Sequence, residues 1–305
     1  MPDVNEQSFA AGPDANTAKT RPARPWRDRI AAPVWRFKPA LPPANVVRAL
    51  KADIIPRIFH AFRPAPPQPP STPAPVQETT QVQAFAALVL GHDDKAAFVY
   101  VEQLRARGES VESIFLDLLA PTARHLGELW ETDESDFASV TLAVGRLQSI
   151  LRHLGDAFVR ESSPYECGES ALLTVVPGEQ HSFGLSMAAE FFRRAGWNLC
   201  TGPFTSHHEL TSLAQNHWFD IVGFSVSSDR RLDELKRGIQ DIRRDSRNRH
   251  IGVILGGPMI IAHPELVAAI GADMMSPDAM TAPREAHELI ERMTGRGRNQ
   301  QGGDP

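Results

Sequence analysis

The spacing of apolar residues divides the chain into three parts. Residues 1–80 show no sustained period, apart from a short apolar pattern at 44–63 that predicts one possible helix. Residues 81–163 carry apolar side chains at helical spacing. The clearest stripe is Val140, Val144, Leu147, Leu151 and Leu154. This period predicts a small bundle of about four helices.

After residue 170 the pattern changes to short β-rich runs separated by helical stretches. The predicted strands are 172–176, 197–201, 220–226 and 251–255, with a fifth candidate at Ala272 to Met275. Strands that alternate with helices predict a parallel sheet covered on both faces. About five such units favour a flavodoxin-like (Rossmann-like) α/β domain over 170–295. Residues 296–305 are expected to form a disordered tail.

Composition separates the N-terminal part from the rest. Sixteen of the 25 prolines fall in residues 1–80. These residues also hold 11 Lys and Arg against 6 Asp and Glu, so they carry +5 and the remaining residues carry −10. A Pro-rich, basic, aperiodic segment is expected to be largely disordered. The acidic remainder argues against a large nucleic-acid surface, so direct DNA contact is expected to be weak or absent.

Two features bear on the compartment. Cys167 and Cys200 are the only cysteines, and no Cys/His metal spacing accompanies them. The N-terminus has no apolar signal-peptide core, and no apolar run approaches the roughly 20 residues of a membrane span. We therefore expect a cytoplasmic protein without membrane contact.

The candidate site lies where the predicted strands end. Open α/β sheets bind ligands beyond the carboxyl ends of their strands, and the switch point of a flavodoxin-like sheet lies between the first and third strands. The residues that meet there are Glu179, His181 and Gly184 after the first strand, Ser225 and Ser227 at the third, and Gly256 and Gly257 at the fourth. These segments are expected to converge on one crevice.

This set of residues resembles the signature of cobalamin-binding domains, Asp-x-His-x-x-Gly, then Ser-x-Leu, then Gly-Gly. The gaps are also similar, with 40 residues between Gly184 and Ser225 and 28 between Ser227 and Gly256. The resemblance implies that His181 is the cobalt ligand, and a neutral imidazole suits such a metal. It also implies that Ser225 bonds the displaced benzimidazole and that the two glycines admit the cofactor's tail.

Two positions depart from that signature. Glu179 stands where the family has the Asp that orients the histidine, and Ser227 stands where it has Leu. Glutamate is a methylene longer, so we expect the hydrogen bond to the histidine to be altered or lost. His207 and His208 are expected to lie in a solvated loop.

The helical part resembles the bundle of cobalamin-dependent regulators, in which light-sensing members hold a Trp and a Glu-His pair above the corrin. This chain has Trp130 at the Trp position and Val140-Thr141 where the pair is expected. The resemblance therefore adds Trp130, Val140 and Thr141 to the candidate cofactor-binding residues. Packing in the bundle core is the competing interpretation of Trp130.

The stretch from about 82 to 295 resembles the PpaA/AerR antirepressors of phototrophic bacteria. That resemblance implies binding of adenosylcobalamin or hydroxocobalamin and action on a DNA-binding transcriptional repressor of photosynthesis genes. Prolines in residues 1–80 break every candidate helix pair, so no winged helix-turn-helix is expected there. The partner, rather than this chain, would then contact the DNA.

Two other functions remain open. The chain could be the corrinoid protein of a methyltransferase system, or a haem sensor that uses the same pocket. Glu179, Val140-Thr141 and the Pro-rich segment favour a light-responsive regulator over the methyl carrier. We find no separate nucleophile, metal cluster or phosphate loop in the sequence, and we expect no enzyme activity.

Overall fold

A computed structural model describes residues 76–93, 95–162, 167–202 and 204–301. The disorder predicted for the Pro-rich segment and the helix predicted at 44–63 therefore fall outside the described residues, except for 76–80. These five residues are helical, because the first helix begins at Val76. In the described part of the chain, no helix has both the length and the apolar character needed to cross a membrane.

The first part of the structure is a helical bundle. Its helices are α1 (Val76–Leu90), α2 (Ala96–Ala106), α3 (Val111–Ser113), α4 (Ala120–Glu131) and α5 (Phe137–Arg160). Asp136 caps the N-terminus of α5, because its side chain accepts hydrogen bonds from the backbone N–H groups of Ala138 and Ser139 at 2.9 and 3.0 Å. The stripe predicted from the sequence on α5 is the face that enters the bundle core.

A π-helical turn, Ile114–Leu119, joins α3 to α4. The N–H of Ala120 bonds to the carbonyl of Phe115, five residues earlier. Pro121 follows directly and has no N–H to donate, so an ordinary α-helical bond is missing at this point in any case. The chain therefore stays helical from residue 111 to 131 instead of breaking at the proline.

The second part contains a five-stranded parallel sheet. Its strands are β1 (Ser170–Val175), β2 (Asn198–Thr201), β3 (Ile221–Ser225), β4 (Gly252–Gly256) and β5 (Met274–Met275). They are arranged in the order β2-β1-β3-β4-β5. This is the flavodoxin-like order, which confirms the fold class predicted from the sequence.

Helices cover both faces of the sheet. They are α6 (Phe183–Arg194), α7 (His207–Asn216), α8 (Leu232–Asp245), α9 (Pro258–Ala262), α10 (Leu266–Ile270) and α11 (Ala282–Gln301). Helix α11 continues past residue 295 to Gln301. The prediction of a disordered tail is therefore wrong for 296–301, and 302–305 lie outside the described residues.

Alternate residues of the sheet enter two separate cores. Leu172 of β1 packs on the side of α7 and α8, whereas its neighbour Leu173 packs on the side of α6 and α11. Helix α6 also belongs to the bundle, because Met187 and Phe191 are buried in the bundle core while Phe192 is buried against the sheet. One amphipathic helix thus joins the two parts.

Helix α6 packs against the C-terminal half of α5. Phe158 of α5 meets Phe191 edge to face, with ring centroids 5.0 Å apart. The guanidinium of Arg194 lies 4.4 Å from the centroid of the Phe158 ring and also pairs with Glu112 of α3. The bundle is therefore packed directly on the helix that follows the candidate histidine.

Candidate functional site

The loop between β1 and α6 carries the candidate ligand. His181 lies two residues before the start of α6 and is half-buried. Burial lowers the pKa of His181, and the nearby carboxylate of Glu179 opposes this shift only in part. The imidazole is therefore held in its neutral form at neutral pH, which is the form that can bind a metal.

Glu179 connects this loop to the end of β3. Its Oε2 accepts hydrogen bonds from the backbone N–H of Ser227 at 3.1 Å and from the Ser227 hydroxyl, and its Oε1 accepts one from the Ser228 hydroxyl at 3.3 Å. The Ser227 side chain is thus engaged with Glu179 and is almost fully buried. The extra methylene of glutamate lets the carboxylate reach the β3–α8 loop while still acting electrostatically on His181.

The strand ends named from the sequence lie side by side. In the sheet register Val175 of β1 pairs with Ser225 of β3, and Ser225 pairs with Gly256 of β4. The N–H of Val226 then bonds to the carbonyl of Gly256 at 2.9 Å. The structure therefore brings the three segments to one edge of the sheet, as the sequence predicted.

The glycines have two different roles. Gly257 has a φ of +94°, and a β-carbon there would lie 2.5 Å from the carbonyl oxygen of Val226. Its missing side chain is thus required by the close approach of the β3 and β4 loops, a reason the sequence did not reveal. Gly184, in contrast, is exposed, and a β-carbon there would meet no atom of the described residues within 4 Å. Open space lies beside the start of α6.

A hydrogen bond between described residues joins the bundle to the histidine loop. Gln148 Nε2 of α5 donates to the hydroxyl of Ser182, the residue after His181, at 3.0 Å. Phe183 and Ala279 pack against the bundle core from the sheet side. The bundle therefore lies close to the carboxyl end of the sheet, although nothing in the local sequence pattern around Gln148 predicted this contact.

The bundle residues named from the sequence occupy three different environments. Trp130, at the end of α4, is half-buried, and its ring centroid is 6.1 Å from that of Phe137. Val140 is buried in the bundle core, and the exposed Thr141 donates its hydroxyl to the carbonyl of Phe137 at 2.7 Å. The assignment of these three residues to a cofactor surface stays a prediction.

His207 differs from its prediction. It begins α7, and both ring nitrogens are buried with no hydrogen-bond partner among the described residues, so they are not solvated. The ring lies against α8, where a β-carbon on Gly238 would be 2.2 Å from Nδ1. The smallest residue on α8 thus accommodates the imidazole. His208, by contrast, is exposed as expected.

The residues at the sheet edge fit a corrinoid. His181 offers a nitrogen ligand in its neutral form, and the exposed Gly184 leaves space next to it. Glu179 anchors the loop through its hydrogen bonds with Ser227 and Ser228, and these bonds do not involve the imidazole of His181. When bound, the cofactor would be held by His181 beside the carboxyl ends of β1, β3 and β4, which are neighbours in the sheet.

Comparisons with known proteins agree with this geometry. Residues 169–285 match the family model described as a B12 binding domain. Residues 81–154 match a second model with the same description. Together the two matches take in the sheet with its site and most of the bundle. The chain therefore belongs to the B12-binding proteins, and the matches support cobalamin binding.

A relative and a solved structure refine this assignment. An uncharacterized 20.5 kDa protein of the bchF-crtJ intergenic region of Rhodobacter capsulatus is 29% identical over 177 residues, which cover 58% of this chain and 92% of that protein. Together with the domain matches, this relative supports a B12-binding protein of the PpaA/AerR type. The monomethylamine corrinoid protein of Methanosarcina barkeri has the same fold. It is 13% identical, with a TM-score of 0.60 over 70% of this chain and 99% of that one.

Proposed function

We propose that this protein is a light-responsive transcriptional regulator that binds cobalamin through His181 and acts as an antirepressor on a DNA-binding repressor of photosynthesis genes. The single observation that carries the ligand assignment is the half-buried His181 at the switch point, with its pKa lowered by burial. The relative from the bchF-crtJ region of Rhodobacter capsulatus supports the regulatory role, since that region holds photosynthesis genes.

Bound cobalamin would be held by His181 and, in its alkylated forms, would supply a cobalt–carbon bond that light can break. The chain itself supplies a neutral imidazole, a loop fixed by Glu179, and a bundle bonded to that loop through Gln148 and Ser182. A change in the bound cofactor could alter an equilibrium between two states of the protein only if the two forms of the cofactor contact the protein differently. The α5–α6 contact is the route by which such a difference would reach the bundle surface.

Regulation through a partner fits the charge of the chain. The residues after 80 carry a net charge of −10, which disfavours direct binding to DNA. A protein partner that carries the DNA-binding element would convert the change in the bundle into a change in transcription. In this proposal the chain performs no turnover of its own.

The first test is the absorption spectrum of the purified full-length protein loaded with adenosylcobalamin or hydroxocobalamin. The expected spectrum is that of base-off cobalamin with a histidine ligand, and His181→Ala should abolish it. His208→Ala is the matched control, because His208 is exposed, and it should leave the spectrum unchanged. An unchanged spectrum in His181→Ala would overturn the ligand assignment, and a haem spectrum in the protein as isolated would replace cobalamin by haem.

The second test is a titration with the repressor of photosynthesis genes from the same organism. Protein loaded with adenosylcobalamin should bind the repressor with different affinities in the dark and after illumination, by about 5- to 150-fold for a typical coupling. Equal affinities, with photolysis verified by absorbance, would remove the light switch. Methyl transfer from methylcobalamin on this protein to a thiol or to tetrahydrofolate would favour a methyltransferase corrinoid protein instead.

A further inference from the structure

An arginine outside the cobalamin signature lies directly against the histidine loop. Gly178, three residues before His181, has a φ of +90°. A β-carbon at Gly178 would lie 2.7 Å from Cζ of Arg231 and 2.8 Å from its Nη2. The guanidinium therefore covers the α-carbon of Gly178 so closely that no side chain fits between them. Glycine is favoured here by the positive φ, and a larger side chain would have to displace the guanidinium of Arg231.

Arg231 is itself held in place. It directly precedes α8, and its Nη1 donates to Oε2 of Glu234 in the first turn of that helix at 3.0 Å. An exposed ion pair of this kind contributes little stability by itself. Its effect here is geometric, since it fixes one side of a planar, rigid fork whose other side faces the loop.

The same β3–α8 segment contacts the histidine loop at two points. At the first point, Ser227 and Ser228 donate hydrogen bonds to the carboxylate of Glu179. At the second, Arg231, three residues after Ser228, lies against Gly178. Gly178 and Glu179 are adjacent, so the two contacts restrain consecutive residues of the loop. The position of the His181 imidazole depends on this short stretch, because only Gln180 separates it from Glu179.

We infer that Arg231 is a positioning residue for His181: its guanidinium, fixed by Glu234, holds the Gly178–Glu179 stretch in the conformation that presents the imidazole to the cofactor. The inference deepens the proposed function, since it rests on His181 being the ligand. Arg231 has no catalytic role in this inference and acts on His181 only through the loop.

The test compares full-length wild-type protein with Arg231→Ala, Arg231→Lys and the matched control Arg237→Ala. Arg237 is an exposed arginine of the same helix whose Nε donates to the carbonyl of Asp233. Each protein is loaded with cob(II)alamin, and its EPR spectrum is recorded, in which a nitrogen ligand splits the cobalt lines. Amide hydrogen exchange of residues 177–182 is measured on the unloaded proteins.

Arg231→Ala is expected to weaken cobalamin binding by about tenfold, a typical loss for a residue that supports a metal ligand, and to reduce the nitrogen splitting. Exchange in the loop should become faster, and thermal unfolding should stay close to that of the wild type. Arg231→Lys should recover part of the loss, because lysine keeps the charge but not the planar fork. Arg237→Ala should match the wild type in every measurement.

A double-mutant cycle isolates the contact itself. Gly178→Ala introduces both a strained φ and a collision with Arg231, whereas in the Arg231→Ala background only the strain remains. Gly178→Ala should therefore reduce cobalamin affinity by a smaller factor in that background. Additive effects would overturn the inference, as would wild-type splitting and exchange in Arg231→Ala. Failure of the proposed function is a separate outcome. In that case the His181→Ala variant would show the same cobalamin spectrum as the wild-type protein.

Discussion

Gly155 of α5 lies so close to Glu190 of α6 that a β-carbon on the glycine would stand 2.7 Å from the Oε2 atom of the glutamate. Glu190 is only 6% exposed and pairs with Arg193 one turn further along α6. Burial, with a smaller contribution from Asp156, raises the pKa of its carboxyl group despite the arginine. The bundle and the sheet thus meet at a point where a glycine makes room for a buried acid.

We predict that Gly155→Ala destabilises the protein, although alanine favours helices. The added methyl group would have to displace a buried carboxylate, and overpacking of this kind costs about 1–3 kcal/mol. Gly145→Ala on the same helix is the matched control. A β-carbon there meets no atom within 4 Å in the part of the chain that the structure describes, so the change should stabilise the protein by up to about 1 kcal/mol. Chemical denaturation measures both, and equal effects would contradict the prediction.

A second prediction concerns the hydrogen bond between Gln148 and Ser182. Gln148→Ala should preserve cobalamin binding but reduce the difference between dark and illuminated protein in affinity for the repressor. The reason is that this bond ties the bundle to the residue after His181. Ser149→Ala is the control, because among the described residues the Ser149 hydroxyl bonds within α5, to the carbonyl of Gly145 and to Arg152. A full light response in Gln148→Ala would exclude this bond as a coupling element.

A third prediction concerns pH and His207. Burial lowers the pKa of His207, an effect that Glu234 and Asp241 oppose only in part. The unfolded chain, with an ordinary histidine pKa of about 6.5, therefore binds more protons than the folded protein just below that pH. The stability that comes from the neutral ring is present above about pH 6.5. It is lost as the pH falls from there through the lower pKa of His207 in the folded protein.

The measurement is the free energy of unfolding of the unloaded protein between pH 5 and 8. His207→Gln should flatten its pH dependence, since it removes the group that must stay neutral. His208→Gln, the exposed neighbour, should leave the pH dependence as it is in the wild type. If both variants keep the wild-type slope, His207 does not contribute to it.

The fourth prediction concerns the charge of Glu179. Its carboxylate raises the pKa of His181 against the larger effect of burial, so Glu179→Gln should lower that pKa further. NMR titration of the His181 ring in the unloaded protein measures this change. Glu209→Gln, which alters a carboxylate bonded to Thr205, should leave the titration of His181 unchanged. A rise in the pKa of His181 in Glu179→Gln would contradict the electrostatic relationship.

The sheet and the location of the site could be predicted from the sequence because both depend on local patterns. β-rich runs alternate with helical stretches, and this alternation leads to a parallel sheet whose carboxyl edge holds His181, Ser225 and Gly256. Even the short β5 strand, Met274–Met275, falls inside the predicted run. Residues that follow strands directly are the ones that a sequence pattern can place.

Contacts between distant segments could not be predicted in this way. Gln148 and Ser182 are 34 residues apart, and no periodicity relates them. The sequence places His207 in a solvated loop, yet Gly238 on another helix provides the space that buries its ring. Gly257 shows the same limit, since its close neighbour is the backbone of Val226 in the next strand. Each depends on packing between elements that only the folded chain brings together.

Helix α6 contributes side chains both to the bundle core and to the core against the sheet, and this has a practical consequence for truncated forms of the protein. A fragment that begins at residue 167 would retain the whole sheet and His181, but it would expose Met187 and Phe191 to water on the surface that the bundle normally covers. Exposed apolar surface of this kind promotes aggregation. The isolated B12-binding domain is therefore the wrong object for measuring cofactor affinity, and the shortest useful truncation must start before α1 at Val76.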